Sequence, residues 1–246
     1  MPEYIWGRNP VMETLHSARR VKRIFLAEGV REAPAITSIV HEAEQRHIPI
    51  EVVPRARLDQ MSRGVVHQGC LAQVEERKYA SIEQILAHAH NKNEAPFLLI
   101  LDAIQDVNNL GSLLRTAESA GVHGIVIPEH RAAEVNATVV KTSAGASEYL
   151  LVAQETNLTR TIDYLKKQNI WVVGLVGDAE TLYTAADLTG PLALVVGNEG
   201  KGISRLVREH CDLLIRLPMY GHVNSLNAAV AGSIALYEAL RQRMRT

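Results

Sequence analysis

Phe97-Leu98-Leu99-Ile100-Leu101 is an apolar run in which both faces of a strand would carry only hydrophobic side chains. A strand of this kind is buried on both sides, as in a parallel sheet that helices cover. Similar apolar runs follow at about 124–127, 170–175, 192–196 and 213–216, and helical patterns lie near 109–120, 157–168, 203–209 and 225–243. The second part of the chain is therefore predicted to be an α/β domain built on a parallel sheet.

The residues before this run predict a second, smaller α/β unit. Helical patterns at about 8–18, 35–46 and 55–61 alternate with strand patterns at 23–27, 50–53 and 70–74. The segment that follows is charged and poor in apolar residues, and it contains a short helix opened by the capping box Ser81-x-x-Gln84. We predict one domain over 1–76, a linker over 77–96 and a second domain over 97–246.

Composition excludes several classes of protein. The 246 residues are 47% hydrophobic with a net charge of −1, so the core needs no disulfide or metal support and no global charge favours nucleic acid. The two cysteines, Cys70 and Cys211, form no C-x-x-C pair, and the histidines form no metal-ligand pattern. No export signal or apolar run of membrane-spanning length is present, so we expect a cytoplasmic protein without metal or membrane anchor.

Candidate binding residues follow the apolar strands, at the edge where parallel sheets bind ligands. The segment after the first strand contains Asn109 and Arg115, and Asn109 is placed to cap the next helix. The loop Gly197-Asn198-Glu199-Gly200-Lys201-Gly202 follows a later strand. Its glycine order matches neither the P-loop nor the dinucleotide fingerprint, which argues against nucleotide triphosphates and NAD. Each segment alone is also compatible with an ordinary turn or helix start.

A third segment, residues 218–231, leads from a Pro/Gly loop into a helix of small residues. Ser225 and Asn227 lie at the helix start, where unpaired backbone N–H groups and the helix dipole favour a cap or a polar ligand. If the three segments meet at one edge of the sheet, they enclose a binding site.

In this order, N-L-G-x-x-x-R-T-A, G-N-E-G-K-G and P-M-x-x-x-x-N-S-L-N-A-A-V-A resemble the SpoU/TrmH family of RNA ribose 2′-O-methyltransferases in the SPOUT superfamily. The N-terminal unit, with Val66-His67-Gln68-Gly69, resembles the ribosomal-protein-like (L30e/L7Ae-like) RNA-binding domain of bacterial rRNA enzymes in this family. The resemblance implies a C-terminal trefoil knot, S-adenosylmethionine (SAM) as methyl donor, and a homodimer with the active site near the subunit boundary.

The resemblance also implies which residues form the site. The polar set around the reacting groups would be Asn109, Arg115, Glu199, Ser225 and Asn227, with Glu199 holding Arg115. Contacts to SAM would come from Gly197, Gly202, Leu217, Met219, Ser225 and Leu226. For RNA contact we expect Arg8, Arg20, Arg23, His67 and Gln68 in the first domain, although a loop histidine such as His67 is as often satisfied within the protein.

The function that the resemblance implies is SAM-dependent 2′-O-methylation of a guanosine in 23S ribosomal RNA. The family implicates Arg115 in removing the proton of the 2′-hydroxyl, but a guanidinium hardly ever loses a proton. Stabilisation of the developing alkoxide, while a phosphate or water takes the proton, is chemically easier. Two alternatives stay open at this point, namely the same reaction on tRNA and a non-catalytic RNA-binding protein of ribosome assembly.

Overall fold

The computed structural model describes residues 3–30, 33–62, 64–222 and 225–244. In chain order the elements are β1 (Glu3–Trp6), α1 (Arg8–His16), β2 (Val21–Ala27), α2 (Pro34–Gln45), β3 (Ile50–Val53), α3 (Arg55–Met61), β4 (Cys70–Val74), α4 (Ile82–Asn91), β5 (Phe97–Asp102), α5 (Val107–Ser119), β6 (Gly124–Pro128), α6 (Ala137–Thr142), a 3₁₀ turn (Ala146–Glu148), β7 (Leu151–Glu155), α7 (Leu158–Lys167), β8 (Trp171–Leu175), β9 (Thr181–Leu182), β10 (Leu192–Gly197), α8 (Arg205–His210), β11 (Leu213–Arg216) and α9 (Ala228–Arg243). The chain divides into two compact units, which are described separately.

The first unit comprises Met1–Lys78 together with Glu134–Tyr149. Its four-stranded sheet has the order β1-β4-β2-β3, in which β2 and β3 are parallel and the other pairs antiparallel. Helix α2 buries Ile36, Ile39 and Ala43, spaced by three and four residues along one face, in the core of this unit. This spacing explains why the segment forms an amphipathic helix against the sheet.

Residues 134–149 are the largest departure from the predicted domain layout, which placed them in the second domain. Ala137 and Val140 of α6 are buried in the core of the first unit. Glu148, whose side chain is 1% exposed, forms ion pairs with Arg19 (3.2 Å) and Arg77. A segment that lies within the sequence of the second domain therefore belongs to the fold of the first unit.

The predicted linker also differs from the structure, because most of it belongs to the second unit. Ala80 donates its N–H to Val152 O (2.8 Å), and α4 buries Ile82 and Ile85 in the core of that unit. Ser81 caps α4 through the predicted capping box with Gln84. The segment is poor in apolar residues, yet the few it has lie on one helical face.

The second unit comprises Tyr79–Ala133 and Leu150–Thr246. Its seven strands are all parallel, in the order β7-β6-β5-β10-β8-β11-β9. The predicted α/β class with a parallel C-terminal sheet is confirmed. The sheet continues from β5 through β6 and β7 on one side, and through β10, β8, β11 and β9 on the other. The carboxyl ends of β5 and β10 thus lie at a switch point, where parallel sheets open a crevice.

Close helix packing holds the C-terminal helix α9 beside α5. A Cβ on Gly232 of α9 would lie 2.6 Å from Leu113 Cδ2 of α5, and the hydroxyls of Thr116 and Ser233 are 2.9 Å apart. The register of β10 with β5 places Gly197 opposite Asp102. The segments that follow these two strands therefore start at the same level. The trefoil knot and the ribosomal-protein likeness of the first unit stay predictions.

Candidate active site

A cavity of about 380 Å³ opens at the carboxyl ends of β8, β10 and β11, beside the start of α9. Its size lies within the usual range of cofactor and small-molecule sites, roughly 300–1,000 Å³. All six residues predicted to contact the cofactor line this cavity: Gly197, Gly202, Leu217, Met219, Ser225 and Leu226. Two of the three segments that the sequence singles out, the loop after β10 and the loop before α9, thus line one cavity in the second unit.

The loop after β10 is folded tightly back on itself. Asn198 and Gly202 exchange backbone hydrogen bonds, with N···O distances of 3.1 and 2.8 Å, and Gly202 has a φ of +66°. A Cβ on Gly197 would lie 2.1 Å from the carbonyl carbon of Gly202. Only glycine fits at position 197, because the returning strand of the loop occupies the space of a side chain. The loop presents Glu199 near its tip.

Asn109, Glu199 and Asn227 form a polar cluster at the cavity. Asn109 Nδ2 donates to Glu199 Oε1 (2.7 Å), and Asn227 Nδ2 donates to the same oxygen and to Asn109 Oδ1 (2.9 Å). The three residues come from the segments after β5, β10 and β11, and they are up to 118 positions apart in sequence. Two amides thus hold one carboxylate oxygen in a fixed position where three strand-end segments converge.

The two helices that meet at this cluster are capped differently from one another. Asp106 caps α5 by accepting from the N–H groups of Asn108 (3.0 Å) and Asn109 (2.8 Å), so the prediction that Asn109 is the cap is wrong. Asn109 lies in the first turn, with its side-chain amide directed to Glu199. Asn227 does cap α9, because its Oδ1 accepts from the first-turn N–H groups at 2.9 and 3.1 Å.

Arg115 is not part of the cluster in the single chain. It is exposed on α5, six residues beyond Asn109, which corresponds to about 9 Å along the helix axis. The carboxylate of Glu199 is held by Asn109 and Asn227, so the predicted contact between Glu199 and Arg115 is wrong for one subunit. Ser225 lines the cavity beside the cluster.

Sequence reasoning missed an ion pair on the cavity wall. Asp178 and Arg208 both line the cavity, and Arg208 Nη1 donates to Asp178 Oδ2 (3.0 Å). This hydrogen bond holds the pKa of the Asp178 carboxyl below its usual range. The signal in the sequence was Gly177-Asp178 directly after β8, a third strand end beside β10. Asp178 therefore presents a charged carboxylate beside the cavity at neutral pH.

The residues predicted for RNA contact lie in the first unit, in two kinds of surroundings. Arg20 and Arg23 are exposed and pair with Glu75 and Glu51, at 3.4 and 2.7 Å. Such exposed pairs contribute little, so both guanidiniums remain available to phosphates.

Arg8 and Gln68 contact each other at the junction of β1 and α1. The Arg8 N–H donates to Gln68 Oε1 (3.0 Å), and Arg8 Nε donates to Gln68 O (3.2 Å). His67, in contrast, is buried. Its Nε2 lies 2.9 Å from Asp59 Oδ1, and its Nδ1 accepts from Gly69 N (3.0 Å). Both ring nitrogens are occupied within the protein, so the prediction that His67 contacts RNA is wrong and its role is structural.

Among the residues that the structure describes, no group of three or more His, Cys, Asp or Glu side chains is arranged to hold a metal ion. Across the same residues, no helix combines the length and apolar character needed to cross a bilayer.

Comparison with known proteins identifies the class of this domain pair. The model of the SpoU rRNA Methylase family matches residues 96–237, and a model described as RNA 2′-O ribose methyltransferase substrate binding matches residues 4–80. The chain belongs to the SpoU rRNA methylase family, and it is an RNA 2′-O-methyltransferase.

Two curated relatives match the chain over nearly its whole length. The Putative TrmH family tRNA/rRNA methyltransferase YacO of Bacillus subtilis (strain 168) is 47% identical, covering 98% of this chain and 96% of its own. The 23S rRNA (guanosine-2′-O-)-methyltransferase RlmB of Escherichia coli (strain K12) is 43% identical, covering 99% and 100%.

Two solved structures show how far the fold is shared. The SpoU methyltransferase AviRb from Streptomyces viridochromogenes, in complex with the cofactor AdoMet, superposes with a TM-score of 0.83 at 23% identity and covers 99% of this chain and 91% of its own. The TrmH/SpoU tRNA modifying enzyme of A. aeolicus has a TM-score of 0.55 at 28% identity, covering 61% of this chain and 76% of its own.

Proposed function

We propose that this protein transfers a methyl group from SAM to the ribose 2′-hydroxyl of a guanosine in 23S rRNA. The observation that carries the proposal is the convergence of Asn109, Glu199 and Asn227, of which Glu199 lines the cavity. The substrate follows from the relatives named 23S rRNA (guanosine-2′-O-)-methyltransferase, which are 43–45% identical over 99% of the chain.

The same reaction on tRNA is the second candidate, because the B. subtilis relative carries both RNA classes in its name. The first unit argues for rRNA. The tRNA modifying enzyme of A. aeolicus matches only 61% of this chain, whereas the 23S rRNA relatives match it from end to end. A chain that carries the extra unit therefore resembles the rRNA enzymes in its layout.

The residues that line the cavity are of types suited to binding SAM. Leu217, Met219 and Leu226 provide apolar surface for a planar base, and the tight turn at Gly197 brings backbone against the ligand. Charged side chains of both signs line the cavity, with Asp178 paired to Arg208 and Glu199 held by two side-chain amides. When bound, SAM supplies a methyl group on a positively charged sulfur, which leaves as a neutral thioether.

The protein's own residues then position the acceptor. In-line displacement requires the ribose oxygen, the methyl carbon and the sulfur to be aligned, and good alignment contributes roughly 7–11 kcal/mol to such reactions. The amides of Asn109 and Asn227 fix Glu199, so the carboxylate can accept a hydrogen bond from the ribose without reorganising. Arg115 stabilises the alkoxide that develops as the proton leaves to a phosphate or water.

A second subunit is needed to bring Arg115 to this cluster. Val230, Ile234 and Tyr237 form an exposed apolar stripe on α9, and they are 48%, 37% and 51% exposed. The hydroxyl groups of Thr116 and Ser233 form a hydrogen bond between α5 and α9. Arg115 precedes Thr116 in sequence, and Ile234 follows Ser233. We place the homodimer interface on this α5/α9 face, with Arg115 of one subunit serving the site of the other.

The reaction is tested by incubating the protein with SAM and separate 23S rRNA and tRNA transcripts, followed by mass-spectrometric mapping of ribose methylation. We expect one methylated guanosine in the 23S transcript. Methylation of tRNA alone would move the substrate to the second candidate. SAM binding by calorimetry with no transfer to either RNA would contradict the catalytic proposal.

The role of the second subunit is tested by complementation. Arg115→Ala and Glu199→Gln homodimers should each be inactive, whereas the mixed dimer contains one site free of both changes and should regain activity. If Arg115 acts within its own subunit, every site of the mixed dimer carries one defect and activity does not return. Ile234→Glu should give a monomer in size-exclusion chromatography with light scattering.

A further inference from the structure

One aromatic side chain near the cavity is left entirely in solvent. Tyr220 is 97% exposed, more than any other large apolar side chain in the part of the chain that the structure describes. Partly exposed apolar residues are common on protein surfaces, but a whole tyrosine ring without neighbours leaves a large apolar area in water. Such a ring is available to a ligand.

The position of Tyr220 links it to the active site. Its neighbour Met219 lines the cavity, and Tyr220 lies in the loop between β11 and α9 that leads to Ser225. The cavity itself does not include Tyr220. The ring therefore stands outside the cofactor space, on the same loop as residues that line it.

The charges near this loop favour a nucleic acid as the occupant. Lys201 lines the same cavity and is exposed, and the ion pairs among the described residues do not include it. His222, two residues after Tyr220, is also exposed. An exposed aromatic ring and exposed basic side chains on the loops around one cavity are a combination that binds single-stranded nucleic acid, in which bases stack and phosphates pair with cations.

We propose that Tyr220 stacks on an unpaired base of the RNA, next to or at the nucleotide that receives the methyl group. The inference rests on the proposed function and adds a positioning residue to it. Recognition of RNA relies on single-stranded bases that can be splayed out and stacked on aromatic side chains. A ring on the loop that lines the cavity would hold such a base while its ribose reaches the cluster of Asn109, Glu199 and Asn227.

The first test compares Tyr220→Ala and Tyr220→Phe with the wild-type protein, using a short RNA that carries the mapped acceptor. Because stacking of one base contributes about 1–3 kcal/mol by alanine substitution, Tyr220→Ala should weaken RNA binding about 5- to 150-fold. Tyr220→Phe keeps the ring and should bind RNA like the wild type. Trp171→Ala serves as the control, because Trp171 is a half-exposed aromatic at the opposite, N-terminal end of β8.

The same variants distinguish the other possible occupants of this ring. SAM affinity by calorimetry and the mass of the assembly by light scattering should both stay at the wild-type values in Tyr220→Ala. A matching loss of SAM affinity would make Tyr220 a cover for the cofactor, and dissociation of the dimer would make it an interface residue. Either result, or unchanged RNA affinity, would overturn the stacking proposal.

A double-mutant cycle identifies the base. Abasic nucleotides are placed one at a time at and beside the acceptor, and RNA affinity is measured with wild-type protein and with Tyr220→Ala. At one position we expect the two changes to be non-additive, because each removes the same contact. Additive losses at every position would refute stacking. Failure of the wild-type protein to methylate any RNA would instead refute the proposed function, so the two failures are distinguishable.

Discussion

Replacement of Gly197 by alanine should damage the site through backbone geometry alone. The new Cβ would lie 2.1 Å from the carbonyl carbon of Gly202 and 2.2 Å from the nitrogen of Ile203, whereas ordinary contact begins at 3.4 Å. Both are backbone atoms, so the returning strand of the loop must move by more than 1 Å. Overpacking of this kind costs about 1–3 kcal/mol of stability, and a displacement of about 1 Å at a reacting group can cost 10²-fold in rate.

The matched control is Gly177→Ala on the wall of the same cavity. A Cβ at Gly177 meets no protein atom within 4 Å, so this variant adds a methyl group to the cavity wall and should keep the stability of the wild type. Urea unfolding, SAM titration and kcat/KM for RNA would be measured for both. We expect Gly197→Ala to lose in all three measurements. If it unfolds and transfers like Gly177→Ala, the loop is not packed as described and the reasoning fails.

The first unit and the second unit each offer one further prediction. Glu148→Gln removes the carboxylate shared by two largely buried arginines, of which Arg19 keeps its ion pair with Glu3 and Arg77 keeps none among the described residues, and it should destabilise the first unit by about 3 kcal/mol. Glu75→Gln in an exposed pair should cost about 0–1 kcal/mol, and equal urea midpoints for the two variants would contradict this. Burial lowers the pKa of His123, although its hydrogen bond to Glu94 acts in the opposite direction. The unfolded state therefore takes up the proton first as pH falls below about 6.5, and stability should decrease there. His123→Gln should flatten this pH dependence, and an unchanged slope would assign it to other groups.

The parallel sheet could be predicted from the sequence because its evidence is local. Phe97–Leu101 is apolar on both faces, and the structure places it as β5 near the middle of the sheet. The assignment of residues 134–149 to the first unit could not be predicted. Helix α6 has six residues, and it packs against strand β1, which is more than a hundred positions away in sequence. No pattern within such a short segment shows which of two sheets it will cover.

The residues that directly follow parallel strands could be predicted to meet. The position of a residue further along a helix, or one supplied by a second chain, could not. Asn109 and Glu199 are 90 positions apart, yet both follow parallel strands, so their meeting follows from the rule for such sheets. Arg115 was grouped with them because of the family pattern. Six residues of helix carry it away from Asn109, and a single chain gives it no contact with Glu199.

One side chain, that of Asn227, both caps a helix and holds the polar cluster of the proposed active site. Its Oδ1 caps α9, and its Nδ2 donates to Asn109 and Glu199. Asparagine, aspartate and serine cap helices about equally well, so capping alone does not require an amide. Aspartate would place a second carboxylate against Glu199, and serine would be too short to reach it. At the start of α5 the two roles belong to different residues. Asp106 caps the helix, and the side-chain amide of Asn109 donates to Glu199. The residues at both helix starts therefore combine helix capping, by Asp106 and Asn227, with side-chain amides that donate to Glu199.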